Sequence, residues 1–292
     1  MLNRLLNGYK TVFEEQIDIL FPDNNYPYDS VLKAARYSLL NGGKRIRPVL
    51  TAEFCKLAGG KEEDSYNFAI ALEMIHTYSL IHDDLPSMDN DDMRRGKPSC
   101  HKAFGEDTAL LAGDTLLTEA FGVAAKANLP SERVVKAVEC LAHNAGLHGM
   151  IGGQVLDLDF EKNKPTAEQL TDMYSRKTSG LLVAACTLGL IAAGEENQNA
   201  FENTKNYANN LGIAFQIIDD ILDLTSSQEV LGKPIGSDDK NHKTTFVTLF
   251  GLEKAKEYAN GYTNSALSFL EKFEGDKTNL KLLTEYLLKR NY

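Results

Sequence analysis

The chain has 292 residues, 43% hydrophobic and 25% charged, as expected for a globular protein with a sizeable core. Its net charge of −10 excludes a nucleic-acid binder that works by bulk positive charge, so an anionic ligand needs local basic patches. Cys55, Cys100, Cys140 and Cys186 are widely spaced without a CxxC pair, which argues against disulfides or a cysteine-rich metal site and for a reducing cytoplasm.

The periodicity is helical nearly everywhere. Leu2, Leu5, Leu6, Tyr9, Val12, Phe13, Ile17 and Leu20 follow one helix face, and the charges among them rule out a signal peptide. Pro22 and Pro27 break the chain, and Asp29 or Ser30 is placed to cap a second helix through Leu40. Gly42-Gly43 ends it, Pro48 suits the first turn of a third helix, and Gly59-Gly60 suits its end. A fourth helix is predicted from about Asp64 to Asp84, followed by an irregular charged segment from Leu85 to about Gly105.

Thr108–Ala127 reads as helix, Ser131 as the cap of another, and Thr166-Ala167-Glu168-Gln169 as a capping box. Leu181–Ala193 is apolar and rich in small residues, fit for close helix contacts. Phe201–Leu224 is a long helix, Thr225–Lys243 a second irregular charged segment, and Leu252 onward is helical with a break near Gly275. No alternating strand pattern and no apolar run near the ~18 residues of a membrane span is present. The expected fold is all-α: one domain over residues 1–292, with central apolar helices inside a ring of amphipathic ones.

Two acidic clusters each end an apolar helix. Asp219 and Asp223 lie four apart, one above the other, with Asp220 beside them and Gln216 one turn earlier. Like charges at this spacing among Phe215, Ile217, Ile218, Ile221 and Leu222 need a cation. Hard oxygen donors favour Mg²⁺, which is commonly completed by waters and substrate phosphates. Asp83-Asp84 followed by Asp89 offers the same ingredients, and an EF-hand is excluded because its glycine and final glutamate are missing.

Cations surround these clusters. Gly43-Lys44-Arg45-Ile46-Arg47-Pro48 places three at a helix start, where backbone N–H groups already favour an anion. Arg94-Arg95 offers planar forks for phosphate, and Lys177-Thr178, Lys233 and Lys243 add donors. His76 lies seven residues before Asp83, nearly on its face. Gly149–Gly153 is glycine-rich but lacks a dinucleotide-binding context.

These motifs, in this order from about Leu32 to Phe250, resemble the trans-isoprenyl diphosphate synthases, and within them the bacterial farnesyl-forming branch. The resemblance implies an all-α homodimer, each chain a helical bundle around a deep central cavity, that joins isopentenyl diphosphate to an allylic diphosphate with three Mg²⁺ ions. It implies that Asp83, Asp84, Asp89, Asp219, Asp220 and Asp223 form the metal motifs. Arg94, Lys177 and Lys233 would bind the allylic diphosphate. Lys44, Arg47, His76 and Arg95, with Gly43, would hold isopentenyl diphosphate. Thr178 and Gln216 would face the allylic cation, with Lys243 near the diphosphates.

The resemblance also implies that Tyr78 and Ser79, the fifth and fourth residues before Asp83, set the cavity floor. A tyrosine ~7.5 Å down the helix from Asp83 would stop the tail at C15. Three other enzymes compete: a geranylgeranyl-forming synthase, an all-α metal phosphohydrolase built on His82-Asp83, and a terpene cyclase. A non-catalytic partner subunit is the reading from another class, and intact aspartates in both motifs speak against it.

Overall fold

Apolar residues at helical spacing bury one stripe per helix, and the structure, a computed structural model describing residues 2–22, 26–225 and 243–288, is all-α. In α1 (Leu2–Leu20), Tyr9, Phe13 and Ile17 are buried against the helices that follow. Next come α2 (Asp29–Leu40), α3 (Ile46–Leu57), a short 3₁₀ turn (Glu62–Ser65) and α4 (Tyr66–Asp83). After the first charged segment the chain forms α5 (Cys100–Phe104), α6 (Glu106–Ala125), α7 (Ser131–Ala145) and α8 (Met150–Phe160). Then follow α9 (Ala167–Lys177), α10 (Ser179–Ala193), α11 (Gln198–Thr225), α12 (Phe246–Phe250), α13 (Leu252–Leu270) and α14 (Thr278–Leu288).

α4 and α10 are apolar on all sides and therefore sit innermost. The small residues of α10 do what their size suggests. A Cβ added at Gly189 would stand 2.4 Å from the Thr51 carbonyl oxygen of α3, so only glycine allows that approach. Gly212 of α11 is equally tight, 2.3 Å from the Ser179 hydroxyl. The buried apolar side chains form one cluster from α1 to α14. Among the described residues no single helix is long and apolar enough to cross a membrane.

Local expectations fare unevenly. The segment after α4 is not wholly irregular: β1 (Met93–Arg94) pairs antiparallel with β2 (Lys97–Pro98). Its two turn residues, Arg95 (φ 54°) and Gly96 (φ 77°), are both left-handed, the geometry a tight two-residue hairpin demands. The glycine-rich stretch Gly149–Gly153 opens α8. The capping box at Thr166 forms, with Gln169 N donating to Thr166 Oγ1 at 3.3 Å and Thr166 N donating to Gln169 Oε1 at 2.8 Å. Asp29, Ser30 and Ser131, however, do not cap: Tyr28 and Pro130 occupy those N-cap positions, without a side-chain cap bond. Lys233 and most of the second charged segment (226–242) lie outside the described residues.

Candidate active site

The end of α4 folds back on itself. Asp89 N donates to the Asp83 carbonyl at 2.8 Å and Asn90 N to Leu85 O at 3.2 Å, so the four-residue gap returns Asp89 to Asp83. Burial pushes the Asp83 carboxyl up to about 6; Asp89 and Asp84 push the same way, while Lys177 and Arg94 oppose them. Asp84 is buried and engaged by Arg94, whose Nε donates to both carboxylate oxygens at 3.0 and 3.2 Å while Nη2 also contacts Oδ1. Asp91 stands 3.7 Å from Arg94, and Asp92 pairs with Lys102 at 2.8 Å rather than with an arginine.

The hairpin and the turn before α3 make a cationic wall. Arg95 Nη1 donates to Gly42 O at 2.9 Å. A Cβ at Gly43 (φ 105°) would meet that guanidinium at 2.8 Å, so both backbone angle and space require glycine there. Arg47 faces the same side with a buried Nε that makes no hydrogen bond, and burial, aided by Arg95, pushes its guanidinium down to about 10. Burial and four neighbouring arginines, Arg47 foremost, drive the His76 imidazole well below its ordinary range, so it stays neutral. Lys44 is exposed, its ammonium 4.6 Å from the Tyr286 ring of α14. A buried guanidinium nitrogen without a partner, among further cations, suits an anion.

The second cluster divides by face. Asp220 is buried and accepts from Tyr174 Oη at 2.6 Å, Gln216 Nε2 at 3.3 Å and Phe246 N at 3.4 Å, so both its oxygens are used within the protein. Asp223 is buried and Asp219 half-buried. Thr178, between α9 and α10, donates from Oγ1 to Gln216 Oε1 at 2.9 Å, one turn before Asp219 and Asp220.

Sequence reasoning missed Asp157 on α8. It accepts from Lys177 Nζ at 2.5 Å and Lys243 Nζ at 3.5 Å. Burial raises its carboxyl, but the two lysines outweigh burial and hold it below the usual carboxylate range. Gly153 is the reason they meet: a Cβ there would lie 2.2 Å from Lys177 N, so only glycine lets α8 close on the end of α9. The available signal was a carboxylate inside the apolar run Ile151–Phe160.

Lys177 thus links the halves: its charge acts on Asp83, its ammonium holds Asp157, and its neighbour Thr178 holds Gln216. Among the described residues no three His, Cys, Asp or Glu side chains converge into a preformed metal site. The donor set nevertheless suits Mg²⁺. Its oxygens are hard, Asp83 is a carboxylate crowded by like charge, and Mg²⁺ relies on waters and phosphates for much of its shell.

Under the chemistry stands a tyrosine. Tyr78 is 5% exposed, its hydroxyl makes no hydrogen bond, and its ring packs edge-on to His82 at 5.6 Å. Ser79 turns its hydroxyl back to the His76 carbonyl at 2.8 Å.

Comparison with known proteins agrees with this architecture. A polyprenyl synthetase family model matches residues 29–284. A geranylgeranyl diphosphate synthase of Cyanophora paradoxa is 43% identical, covering 97% of this chain and 94% of its own. A chloroplastic geranylgeranyl pyrophosphate synthase of Capsicum annuum is 46% identical, covering 89% of this chain and 71% of its own. The crystal structure of a Helicobacter pylori geranyltransferase complexed with magnesium and isoprenyl diphosphate superposes with a TM-score of 0.80 at 33% identity, covering 97% of this chain and 96% of that one. The chain belongs to the polyprenyl synthetase family, the trans-isoprenyl diphosphate synthases, and is a prenyltransferase.

Proposed function

We propose that this chain joins isopentenyl diphosphate head to tail to an allylic diphosphate and releases diphosphate. The observation that carries the reading is the Lys177–Thr178 bridge between two carboxylate clusters, beside a wall of cations. Asp83, Asp89, Asp219 and Asp223 would hold Mg²⁺, which when bound neutralises charge on the leaving diphosphate. Three ions per site, the number the resemblance implies, are part of this proposal. Lys177 and Arg94 orient the allylic diphosphate, and Lys243 sits within reach through Asp157. Lys44, Arg47, His76 and Arg95 take isopentenyl diphosphate. Thr178 and Gln216 present oxygen dipoles to the developing allylic cation, and the apolar helices around them exclude water that would trap it. The structure leaves Asp84 to Arg94 and Asp220 to Tyr174, so we assign these two to holding the site's shape.

For product length, the names of the curated relatives favour C20, geranylgeranyl diphosphate, over the C15 expected from the sequence. The C15 reading keeps one specific observation, the buried Tyr78 beneath Asp83. Incubation with labelled isopentenyl diphosphate, dimethylallyl diphosphate and Mg²⁺, followed by chain-length analysis, decides both questions. No elongation overturns the function, and orthophosphate release from a nucleotide would point to a hydrolase. Tyr78→Ala is expected to lengthen the product by at least one C5 unit. An unchanged distribution removes Tyr78 as the floor and leaves it ordinary core.

We also propose a homodimer in a reducing cytoplasm. Leu110 and Leu111 of α6, Leu147 before α8, and Ile151 and Val155 of α8 are exposed apolar side chains that a second copy would cover. Light scattering is expected to return twice the chain mass, and a single-chain mass would overturn the pairing. All four cysteines are free, which supports the compartment.

A further inference from the structure

Among the described residues, only Arg45 (φ 52°), Asn90 (φ 52°) and Arg95 (φ 54°) are non-glycine residues with a left-handed backbone. Such conformations persist where the surroundings enforce them, and they gather at functional sites. Asn90 and Arg95 belong to the loops of the site. Arg45 stands between Lys44 and Arg47, yet its side chain points away from them into the core.

The surroundings of Arg45 are built. Arg45 Nη1 donates to Glu73 Oε1 at 2.9 Å, and the two side chains are 0% and 3% exposed. Its Nη2 donates to the Leu39 carbonyl at the end of α2, and its guanidinium lies 4.6 Å from the Phe13 ring of α1. One arginine therefore ties α1, α2 and α4 to the turn that carries Lys44 and Arg47. Glu73 lies one turn before His76 on α4, the helix that ends in Asp83. A fully buried ion pair is a poor source of net stability, since an apolar pair of similar volume commonly does as well. What it supplies is geometry: a planar fork with two fixed acceptors holds its backbone in one place.

We propose that Arg45 and Glu73 are positioning residues for the isopentenyl diphosphate subsite. The pair fixes the Gly42–Arg47 turn against α4, so that Arg47 is held beside His76 and Arg95 while Lys44 stands exposed on the same turn. It touches no substrate. The inference rests on the reading of those four residues as that subsite. The pair contacts neither Arg94 nor Lys177, the groups read as holding the allylic side, and is linked to Arg94 through the backbone at Asn41, whose Nδ2 donates to the Arg94 carbonyl at 3.1 Å.

The test uses two variants of the full chain, Arg45→Lys and the doubly apolar Arg45→Met/Glu73→Leu, with melting curves alongside KM for each substrate. The lysine keeps the charge but cannot reach both Glu73 and Leu39. The apolar pair keeps the volume and loses the fork. Each folded variant is expected to raise KM for isopentenyl diphosphate about tenfold or more, the scale of a sub-ångström displacement of binding groups. KM for the allylic substrate is expected to stay within about twofold, because its binding groups keep their places. Should the double variant fail to melt cooperatively, Arg45→Lys decides alone. Parent-like KM values in a folded variant, or equal losses for both substrates, overturn the proposal and leave the pair purely structural. Calorimetric binding of isopentenyl diphosphate reads the same subsite without turnover. An inactive parent would therefore overturn the proposed function, while the pair is still judged on binding.

Discussion

Asp83→Asn is expected to lower kcat/KM by about a thousandfold or more, the scale seen when transition-state charge loses its stabiliser, while making the apo protein harder to melt. Both effects have one cause. Burial and the carboxylates of Asp89 and Asp84 push the Asp83 carboxyl up to about 6, from an ordinary value of 3.8. The folded apo state therefore carries a charge it would rather lose. Below the unfolded value both states hold the proton and no penalty exists. Between about 4 and 6 the unfolded chain ionises first, so the penalty grows as pH rises, and above about 6 it is complete. Two pH units correspond to about 3 kcal/mol, and partial exposure reduces this to about 2.

Asparagine removes the charge. At pH 8 the variant should melt about 5 °C higher than the parent, and at pH 4 the difference should vanish. The parent's kcat/KM should fall as pH drops through about 6, because a protonated Asp83 cannot hold a cation. Equal melting temperatures at pH 8 would mean that Asp83 is not strained in the apo state. Unchanged turnover would remove it from the site. A residue that destabilises its own fold is what a site awaiting a charged ligand should contain.

Asp157→Asn is expected to move stability the other way and still cost activity. Burial raises this carboxyl, yet Lys177 and Lys243 outweigh it and hold it below the usual range. Its contribution is therefore present above the unfolded value and is lost as pH falls through the lower folded value. The amide removes the anion that the two half-buried ammoniums share, while Lys243 keeps Glu161 at 3.8 Å. The cost is about 1 kcal/mol at pH 7, at the low end for a charge-assisted contact because both lysines reach solvent. Lys177 then lacks the 2.5 Å contact that aims it. Misplacement of one diphosphate-binding cation by about 1 Å lowers kcat/KM by about a hundredfold. Raising Mg²⁺ should not rescue the variant, since the loss is one of aim. A kcat/KM within about threefold of the parent would reduce Asp157 to an ordinary surface-to-core ion pair. Opposite shifts in melting temperature for Asp83→Asn and Asp157→Asn would separate the carboxylate that waits for a cation from the one that already has two.

Much of this was legible from spacing alone. Helical periodicity predicts α1 and α2 nearly to the residue and α11 to within three residues of its start, because one apolar face per helix leaves few ways to pack. Asp83 and Asp219 could be singled out because a carboxylate beside apolar neighbours and like charges demands an external cation. The hairpin was not legible, since two residues per strand are too short for an alternation, and its turn depends on Arg95 accepting a left-handed backbone. Asp157 was missed for a related reason. Asp159 and Glu161 follow within four residues and could have flagged it, but its lysine partners lie 20 and 86 residues away.

Sequence order therefore determines the all-α class, the two acidic helix ends and the supply of cations, because each of these is written in contacts between near neighbours. Tertiary structure alone decides which partners the acidic groups gain within the protein. Asp84 goes to Arg94, Asp220 to Tyr174, and Asp157 to Lys177 and Lys243. It alone turns Arg45 into the core and leaves Lys44 exposed against Tyr286. The reason is physical. Burial and charge pairing depend on which helices meet, and the small residues that let them meet (Gly153 against Lys177, Gly189 against Thr51) act only across the packed interface.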